Sequence, residues 1–171
     1  MKKAKFVLTS DWHIRDDCPV WRTDDFQDTL WRKIRFIYSV AADNGDIPII
    51  VAGDIGHSLY WSNELLGRSI CFFRSMHDRF GIITYMIPGQ HDLPNHSRIL
   101  FHQSGLGVLS VTRIPQLEIY IESINISNQK EKVFLFPYGC NPEKIRSSSK
   151  SIFIIHRLVT NDPSSPYGSQ A

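Results

Sequence analysis

Uninterrupted apolar segments recur along the chain, and each of them ends in polar residues. The four segments are FVLTS (6–10), IPIIVAG (47–53), GIITYMIPG (81–89) and SIFIIH (151–156). They are rich in β-branched residues and do not alternate between apolar and polar positions, which is typical of strands covered on both faces in a parallel sheet. We therefore predict four buried strands, with polar side chains gathered at their carboxyl ends.

A segment with helical periodicity lies between the first two of these strands. In residues 23–45, apolar positions recur at steps of three and four, which predicts an amphipathic helix. Its inward positions are Phe26, Leu30, Ile34, Ile37 and Ala41. Thr23 is the predicted N-cap, and Asn44 followed by Gly45 is a typical helix stop.

A second helix is predicted between the second and third strands, from about Asn63 to Arg79, with Gly81 after it. Its inward positions are Leu65, Leu66, Ile70, Phe73 and Met76. The order strand, helix, strand, helix, strand predicts an α/β fold with a parallel sheet.

The pattern changes after residue 107 to shorter apolar segments, GVLSVTRI (107–114), LEIYIES (117–123) and EKVFLFPYG (131–139). Turn residues separate them, so we predict short antiparallel or mixed strands. Residues 142–150 are predicted as a short helix, and residues 161–171 as a loop or frayed end.

Composition narrows the class of protein. The 171 residues suit a single globular domain, with 42% hydrophobic and 21% charged residues. A net charge of +2 is too small to attract nucleic acid by itself. Three widely spaced cysteines without a CxxC pair argue against a disulfide framework or a thiolate zinc site, and the absence of a long apolar run predicts a soluble, cytoplasmic protein.

Ligand-type side chains follow each of the four buried strands. They are Asp11 and His13, then Asp54 and His57, then Gln90, His91 and Asp92, and finally His156. Carboxylate, amide and imidazole ligands without a thiolate suit manganese, iron or zinc. Functional groups collect at the carboxyl ends of strands in open α/β sheets, so we expect these residues to converge, with one carboxylate able to bridge two ions.

Each motif taken singly also has an ordinary structural interpretation. A lone DxH is a weak signal, Gly-Asp after a strand is commonly a turn, and His156 could be a packed histidine. Residues 95–97, His77 and His102 are best explained as loop or helix-face residues. The aromatic residues at 12, 21, 60 and 61, with Arg15 and Arg22 among them, could stack nucleic-acid bases or simply pack beneath loops.

The ordered motifs DWH (11–13), GDIGH (53–57), GQHD (89–92) and IIH (154–156) resemble those of the calcineurin-like metallophosphoesterase superfamily. Within it the chain is most similar to SbcD-type DNA repair exonucleases and their phage-borne relatives. The resemblance covers about residues 5–160. It implies a layered αββα sandwich, in which two β-sheets are flanked by helices.

The resemblance also implies the roles of the site residues. One metal would be held by Asp11, His13 and Asp54, and the second by Asp54, Gln90 and His156. The two divalent ions would be Mn²⁺, with Mg²⁺, Fe²⁺ or Zn²⁺ as alternatives, and a hydroxide bridging them would be the nucleophile. His91 would meet the phosphate and protonate the leaving oxygen, with Asp92 orienting its ring and His57 placing the phosphate.

Two departures from the family pattern bear on function. Gln90 stands where asparagine is usual, and no histidine follows His156, so the GHxH motif is missing. We therefore expect residues 1–171 to be a single phosphoesterase domain that is incomplete at its C-terminus.

The function we predict is a dinuclear phosphodiester hydrolase acting on DNA as an exonuclease or endonuclease. A small-molecule nucleotide phosphoesterase and a non-catalytic fragment that keeps the fold are the alternatives. DNA is then the substrate, an SbcC-like ATPase would partner a full-length form, and no membrane is involved.

Overall fold

The computed structural model describes residues 4–126, 132–140 and 151–157. The elements are β1 (Val7–Thr9), α1 (Phe26–Asp43), β2 (Ile49–Ala52), α2 (Asn63–Phe80), β3 (Thr84–Ile87), α3 (Gly105–Ser110), β4 (Leu117–Ile119), β5 (Ile124–Asn125), β6 (Lys132–Phe136) and β7 (Ser151–Ile155). Three short 3₁₀ turns lie between β3 and α3. The predicted turn at 127–131, the predicted short helix at 142–150 and the predicted loop at 161–171 lie outside the described residues.

Two sheets form the centre of the described fold. The first has the order β1-β2-β3-β4, and all of its neighbouring strands are parallel. The second has the order β5-β6-β7, with β5 antiparallel and β7 parallel to β6. A parallel sheet flanked by helices on one face and by a second sheet on the other confirms the predicted layered α/β class.

The uninterrupted apolar character of β2 follows from this layering. Ile49 and Val51 point into the core beneath the helices, whereas Ile50 and Ala52 point into the core between the two sheets. Successive side chains of a strand face opposite sides, so a strand between two layers must be apolar at every position. The prediction of a strand covered on both faces is therefore confirmed for β2.

The helices are capped by side chains close to the predicted positions. The α1 N-cap is Asp25, whose carboxylate accepts from the amide of Asp28, and so the predicted Thr23 cap is wrong by two residues. A cap must place its oxygen near the amide three residues ahead, and Thr23 precedes the first helical turn. The α2 helix begins after Ser62 and ends at Gly81, which has a φ of 62°, as the sequence predicted.

The segment 107–114 was predicted as a strand, and this prediction is wrong. Helix α3 begins after Ser104, whose hydroxyl accepts from the amide of Gly107. Leu106 and Leu109 are buried and Val108 is exposed, which is a helical rather than an alternating pattern. The segment is too short for the two periods to be told apart from the sequence.

Two strands have partners that the sequence did not predict. The segment 117–123 contributes β4, which extends the first sheet in parallel with β3. The β7 strand belongs to the second sheet and not to the sheet of β1 to β3, and Ile152, Phe153 and Ile155 are partly exposed. Among the described residues, no helix has the length and apolar character needed to span a membrane.

Candidate metal centre

The loops that follow β1 and β2 run side by side beyond the ends of the strands. The amide of Asp11 donates to the carbonyl of Gly53 (3.0 Å), and the amide of His13 donates to the carbonyl of Asp54 (3.1 Å). Ile14 continues the pairing through a bridge to Gly56. The parallel register of β1 and β2 therefore carries through into the two loops and places Asp11 and His13 beside Asp54.

Three ligand-type residues in these loops have left-handed backbones. The φ angles are 55° for Asp11, 45° for His13 and 51° for Asp54. Such a conformation costs on the order of 1 to 3 kcal/mol for a residue other than glycine, and it clusters at functional sites. Because three ligand-type residues share this strained conformation, we infer that the loops hold their side chains in positions set by a site.

The side chains of Asp11, His13 and Asp54 converge, as the sequence predicted. Their ligand atoms all lie within 4.8 Å of one another. Asp54 is buried, whereas the Asp11 side chain is 53% exposed and the His13 side chain 34% exposed. The group therefore combines a buried carboxylate with two ligands that face an opening.

His156 reaches the same carboxylate from the second sheet. Its Nδ1 lies 2.7 Å from the carbonyl oxygen of Ala52, to which it donates, and its Nε2 lies 3.4 Å from Oδ2 of Asp54. The hydrogen bond to Ala52 fixes the ring orientation, so that Nε2 faces Asp54. The site is thus assembled across the seam between the two sheets, rather than along one sheet edge as we expected.

Two glycines make this approach sterically feasible. A Cβ at Gly53 would lie 2.2 Å from Cγ of His156, and Gly53 itself has a φ of 85°. A Cβ at Gly89 would lie 2.1 Å from Oδ1 of Asp54 and 2.8 Å from Nε2 of His156. Both glycines stand in the motifs noted above, but their packing role could not be deduced from the sequence.

Gln90 lies at the edge of the same group of residues. With Asp11, Asp54 and His156 it lines a cavity of about 580 Å³, which also includes the exposed ends of β1 and β7. We call this the seam cavity. The structure therefore brings all five of the predicted metal-ligating residues to one region.

His91 and His57 flank His13 on the open side of the site. The ring of His91 lies 5.3 Å from that of His13, and the ring of His57 lies 5.6 Å from it. The backbone amide of His91 donates to Oδ1 of Asp54 (3.0 Å), which fixes the position of a side chain that is 47% exposed. Both rings can therefore reach a substrate that enters the site.

The carboxylate of Asp92 has different partners from those expected. We predicted that it would orient the ring of His91, but it accepts from three backbone amides, those of Ile55 (3.1 Å), Gly56 (2.8 Å) and Gly89 (2.9 Å). These bonds hold the loop after β2 against the loop after β3. Asp92 is 2% exposed, and its role in the structure is to keep the two ligand-bearing loops together.

Burial and hydrogen bonding shift several pKa values in the site. Burial raises the pKa of Asp54, but the bonds from His156 and from the His91 amide outweigh it and leave the pKa below its ordinary value. The Asp54 carboxylate raises the pKa of His156 despite the burial of the ring. Burial lowers the pKa of His57, and the nearby charges of Arg15 and His13 lower it further.

For Asp92, in contrast to Asp54, burial outweighs hydrogen bonding in setting the pKa. Burial raises its pKa to about 6, although the three backbone amides act to lower it. Asp54 and Asp92 therefore differ because only Asp54 has imidazole partners, and Asp54 is the carboxylate that stays ionised beside a cation.

The donor set fits a divalent cation. Two ligands of a tetrahedral ion, each at about 2.0 to 2.2 Å, lie about 3.3 to 3.6 Å apart. The 3.4 Å between Nε2 of His156 and Oδ2 of Asp54 falls in this range. In addition, Nδ1 of His13 is buried and has no hydrogen-bond partner in the part of the chain that the structure describes. Buried polar atoms are rarely left unsatisfied, so this ring is suited to a further ligand.

The aromatic residues near the site divide into two groups. Trp12 is in the main core, donates to Thr9 and stacks on Phe73, and Trp61 packs against Gly105. For these two, packing beneath loops is the correct interpretation. Trp21 and Tyr60 are 93% and 72% exposed, so they are free to contact a ligand.

Comparison with known proteins relates the chain to one protein family. A family model described as calcineurin-like phosphoesterase matches residues 4–165. A search of curated proteins found no match to the chain.

Proposed function

Because the chain belongs to the calcineurin-like phosphoesterase family, we propose that it is a two-metal phosphodiesterase that hydrolyses DNA. The observation that supports this best is the convergence on Asp54. The carboxylate faces Asp11 and His13 on one side and His156 on the other, within 4.8 Å and at 3.4 Å respectively. One buried carboxylate between two ligand sets is the arrangement that a pair of cations requires.

We assign the proposed ligands to two ion positions. Asp11, His13 and Asp54 would hold one divalent cation, and Asp54, Gln90 and His156 would hold the other. When bound, the pair neutralises phosphate oxygens and makes water a stronger nucleophile. Mn²⁺ is the ion we propose, since carboxylate and amide oxygens suit it and the proposed ligands include no thiolate.

Two histidines complete the proposed chemistry. The exposed ring of His91, beside His13, is placed to donate a proton to the leaving oxygen, a contribution of about 10² to 10⁴ in rate. The lowered pKa of His57 keeps its ring neutral near pH 7, so it contributes one N–H to position the phosphate.

A nucleotide phosphoesterase is the second candidate function. The seam cavity, at about 580 Å³, has the size of a small-molecule site rather than an extended groove. Hydrolysis of single-stranded DNA and of bis-p-nitrophenyl phosphate supports the DNA phosphodiesterase, whereas hydrolysis restricted to p-nitrophenyl phosphate supports the monoesterase.

The test of metal-dependent function uses Asp54→Asn, with Asp43→Asn, an exposed carboxylate at the end of α1, as the matched control. Titration calorimetry with MnCl₂ should show two saturable sites in the parent and in Asp43→Asn. In Asp54→Asn both should weaken together, and hydrolysis should fall by at least 10²-fold, on the order of one lost catalytic group. Absence of Mn²⁺ binding by the parent chain would instead support a non-catalytic fragment.

A further inference from the structure

A second cavity adjoins the metal centre on the side of α1. Its volume is about 530 Å³, and it shares Asp11, His13 and His57 with the site described above. The rest of its lining comes from Trp12, Arg15, Pro19, Phe26, Leu30, Lys33, Ile34 and Ile37. We call it the α1 cavity.

The walls of the α1 cavity are mainly apolar. Phe26 and Ile37 were predicted to face the core, yet both are only partly buried, because they line this opening. The apolar face of α1 is therefore not fully covered by the described protein, and part of it meets a space next to the metal ligands. An apolar cavity with a few polar groups at one end is typical of a small-molecule subsite.

The rim of the α1 cavity carries charges of both signs, because Asp11 is acidic and Arg15 and Lys33 are basic. Arg15 is held by a two-pronged ion pair with Asp17, which largely neutralises it. Lys33 lines the cavity from an exposed position on α1 and carries a charge outside that pair. A ligand with an apolar ring therefore suits the walls, and a phosphate on that ligand would be attracted by Lys33 once a cation neutralises Asp11.

We propose that the α1 cavity binds the nucleobase of the substrate next to the scissile phosphate. This inference rests on the proposed function and names the part of the substrate that the site recognises. Arg22 lies over the Phe26 ring, 5.4 Å from its centroid, but does not line the cavity. A planar base can therefore contact Ile37 and the part of Phe26 that faces the cavity, while its phosphate stays at Asp11 and His13, which belong to both regions. The scarcity of hydrogen-bonding groups in the walls favours any base over a particular one.

The test compares two phosphodiesters that share one leaving group. Thymidine 5′-p-nitrophenyl phosphate carries a nucleoside, and methyl p-nitrophenyl phosphate carries a methyl group in its place. The Phe26→Ala variant should lower kcat/KM for the thymidine ester about tenfold relative to the methyl ester, which is the effect of one lost stacking contact. Phe36→Ala is the matched control, because Phe36 lies on the same helix but is 66% exposed and outside the cavity.

A second measurement does not depend on turnover. Thymidine 5′-monophosphate and ribose 5-phosphate are titrated into the protein in the presence of diamagnetic Mg²⁺, and binding is followed by NMR chemical-shift changes. Tighter binding of the thymidine ligand, lost in Phe26→Ala and in Ile37→Ser but kept in Phe36→Ala, supports the base subsite. Circular dichroism confirms that each variant is folded before the comparison is made.

The outcomes separate the two proposals. Hydrolysis of both esters with an unchanged ratio in Phe26→Ala overturns the base subsite and leaves the phosphodiesterase standing. No hydrolysis of either ester, with thymidine 5′-monophosphate still bound in a Phe26-dependent way, overturns the catalytic proposal and supports the subsite. Equal binding of both ligands by the parent overturns the subsite.

Discussion

At the scale of single residues, Gly89 is a position where a side chain would collide with Asp54. A Cβ there would lie 2.1 Å from the carboxylate and 2.4 Å from the amide nitrogen of Asp54. The second contact is with backbone, which cannot rotate away. Any side chain at this position must therefore displace the loop that carries Asp54.

We predict that Gly89→Ala destabilises the protein by at least about 2 kcal/mol and weakens Mn²⁺ binding. Gly67→Ala is the matched control, because a Cβ at Gly67 in α2 meets nothing within 4 Å. It should stabilise the protein by about 0.5 to 1 kcal/mol through helix propensity. Urea unfolding measures both, and equal stability of the two variants would refute the packing role of Gly89.

The residue scale also shows what the sequence could and could not reveal about the site. The types and positions of Asp11, His13 and Asp54 predicted a cation site, because the type of a side chain determines whether it can bind a cation. Two of the three partners of Asp92 were not predictable, since they are backbone amides from a loop 36 and 37 residues away. Aspartate and histidine are among the residue types that adopt left-handed backbone most readily, but the types alone did not show which of them would do so.

At the scale of elements, a buried hydrogen bond joins α1 to β3. The hydroxyl of Tyr38 lies 2.8 Å from that of Thr84, and both residues are almost fully buried. Burial raises the pKa of Tyr38 to about 12, from an ordinary value of 10.0. The folded protein therefore holds this proton more tightly than the unfolded chain does.

The stability that this proton contributes is complete below about pH 10 and is lost as the pH rises through about 12. We predict that the parent loses roughly 2 to 3 kcal/mol more than Tyr38→Phe does over this interval. Tyr60→Phe, which alters an exposed phenol, should follow the parent. Urea unfolding at intervals of pH measures the difference, and parallel losses in all three proteins would contradict it.

Elements differed in how well the sequence predicted them. The helices α1 and α2 were found close to their predicted bounds because each spans several turns of a clear period and has strong caps. The short helix α3 was mistaken for a strand, because six residues cannot distinguish one period from another. The sheet to which β7 belongs depends on pairing with β6, a long-range contact that no local pattern specifies.

At the scale of the whole molecule, the proposed metal site links the two sheets. Asp54 follows a strand of the first sheet, and His156 follows a strand of the second. The apolar core between the sheets, with Ile50, Ile87 and Leu135, already joins them. A cation held by both residues would add a second connection at the end of this core.

We predict that Mn²⁺ raises the unfolding temperature, with a stabilisation of about 2.7 kcal/mol from each occupied site at a free metal concentration of 100 times its Kd. His156→Ala should lose at least about 1.4 kcal/mol of that gain, corresponding to tenfold weaker binding. Differential scanning calorimetry with and without EDTA measures the gain. His102→Ala changes an exposed histidine and should behave as the parent. An equal gain in both variants would exclude His156 as a ligand.

The bond from His156 to Ala52 spans 104 residues of the chain. During synthesis, the first three strands leave the ribosome well before residue 156 is joined to the chain. On the nascent sheet, the carboxylate of Asp54 therefore lacks its contact with the imidazole of His156 until that residue has been synthesised. The proposed metal site can therefore close only after residue 156 has been synthesised, so a ribosome-bound chain that stalls earlier carries the first sheet without this contact.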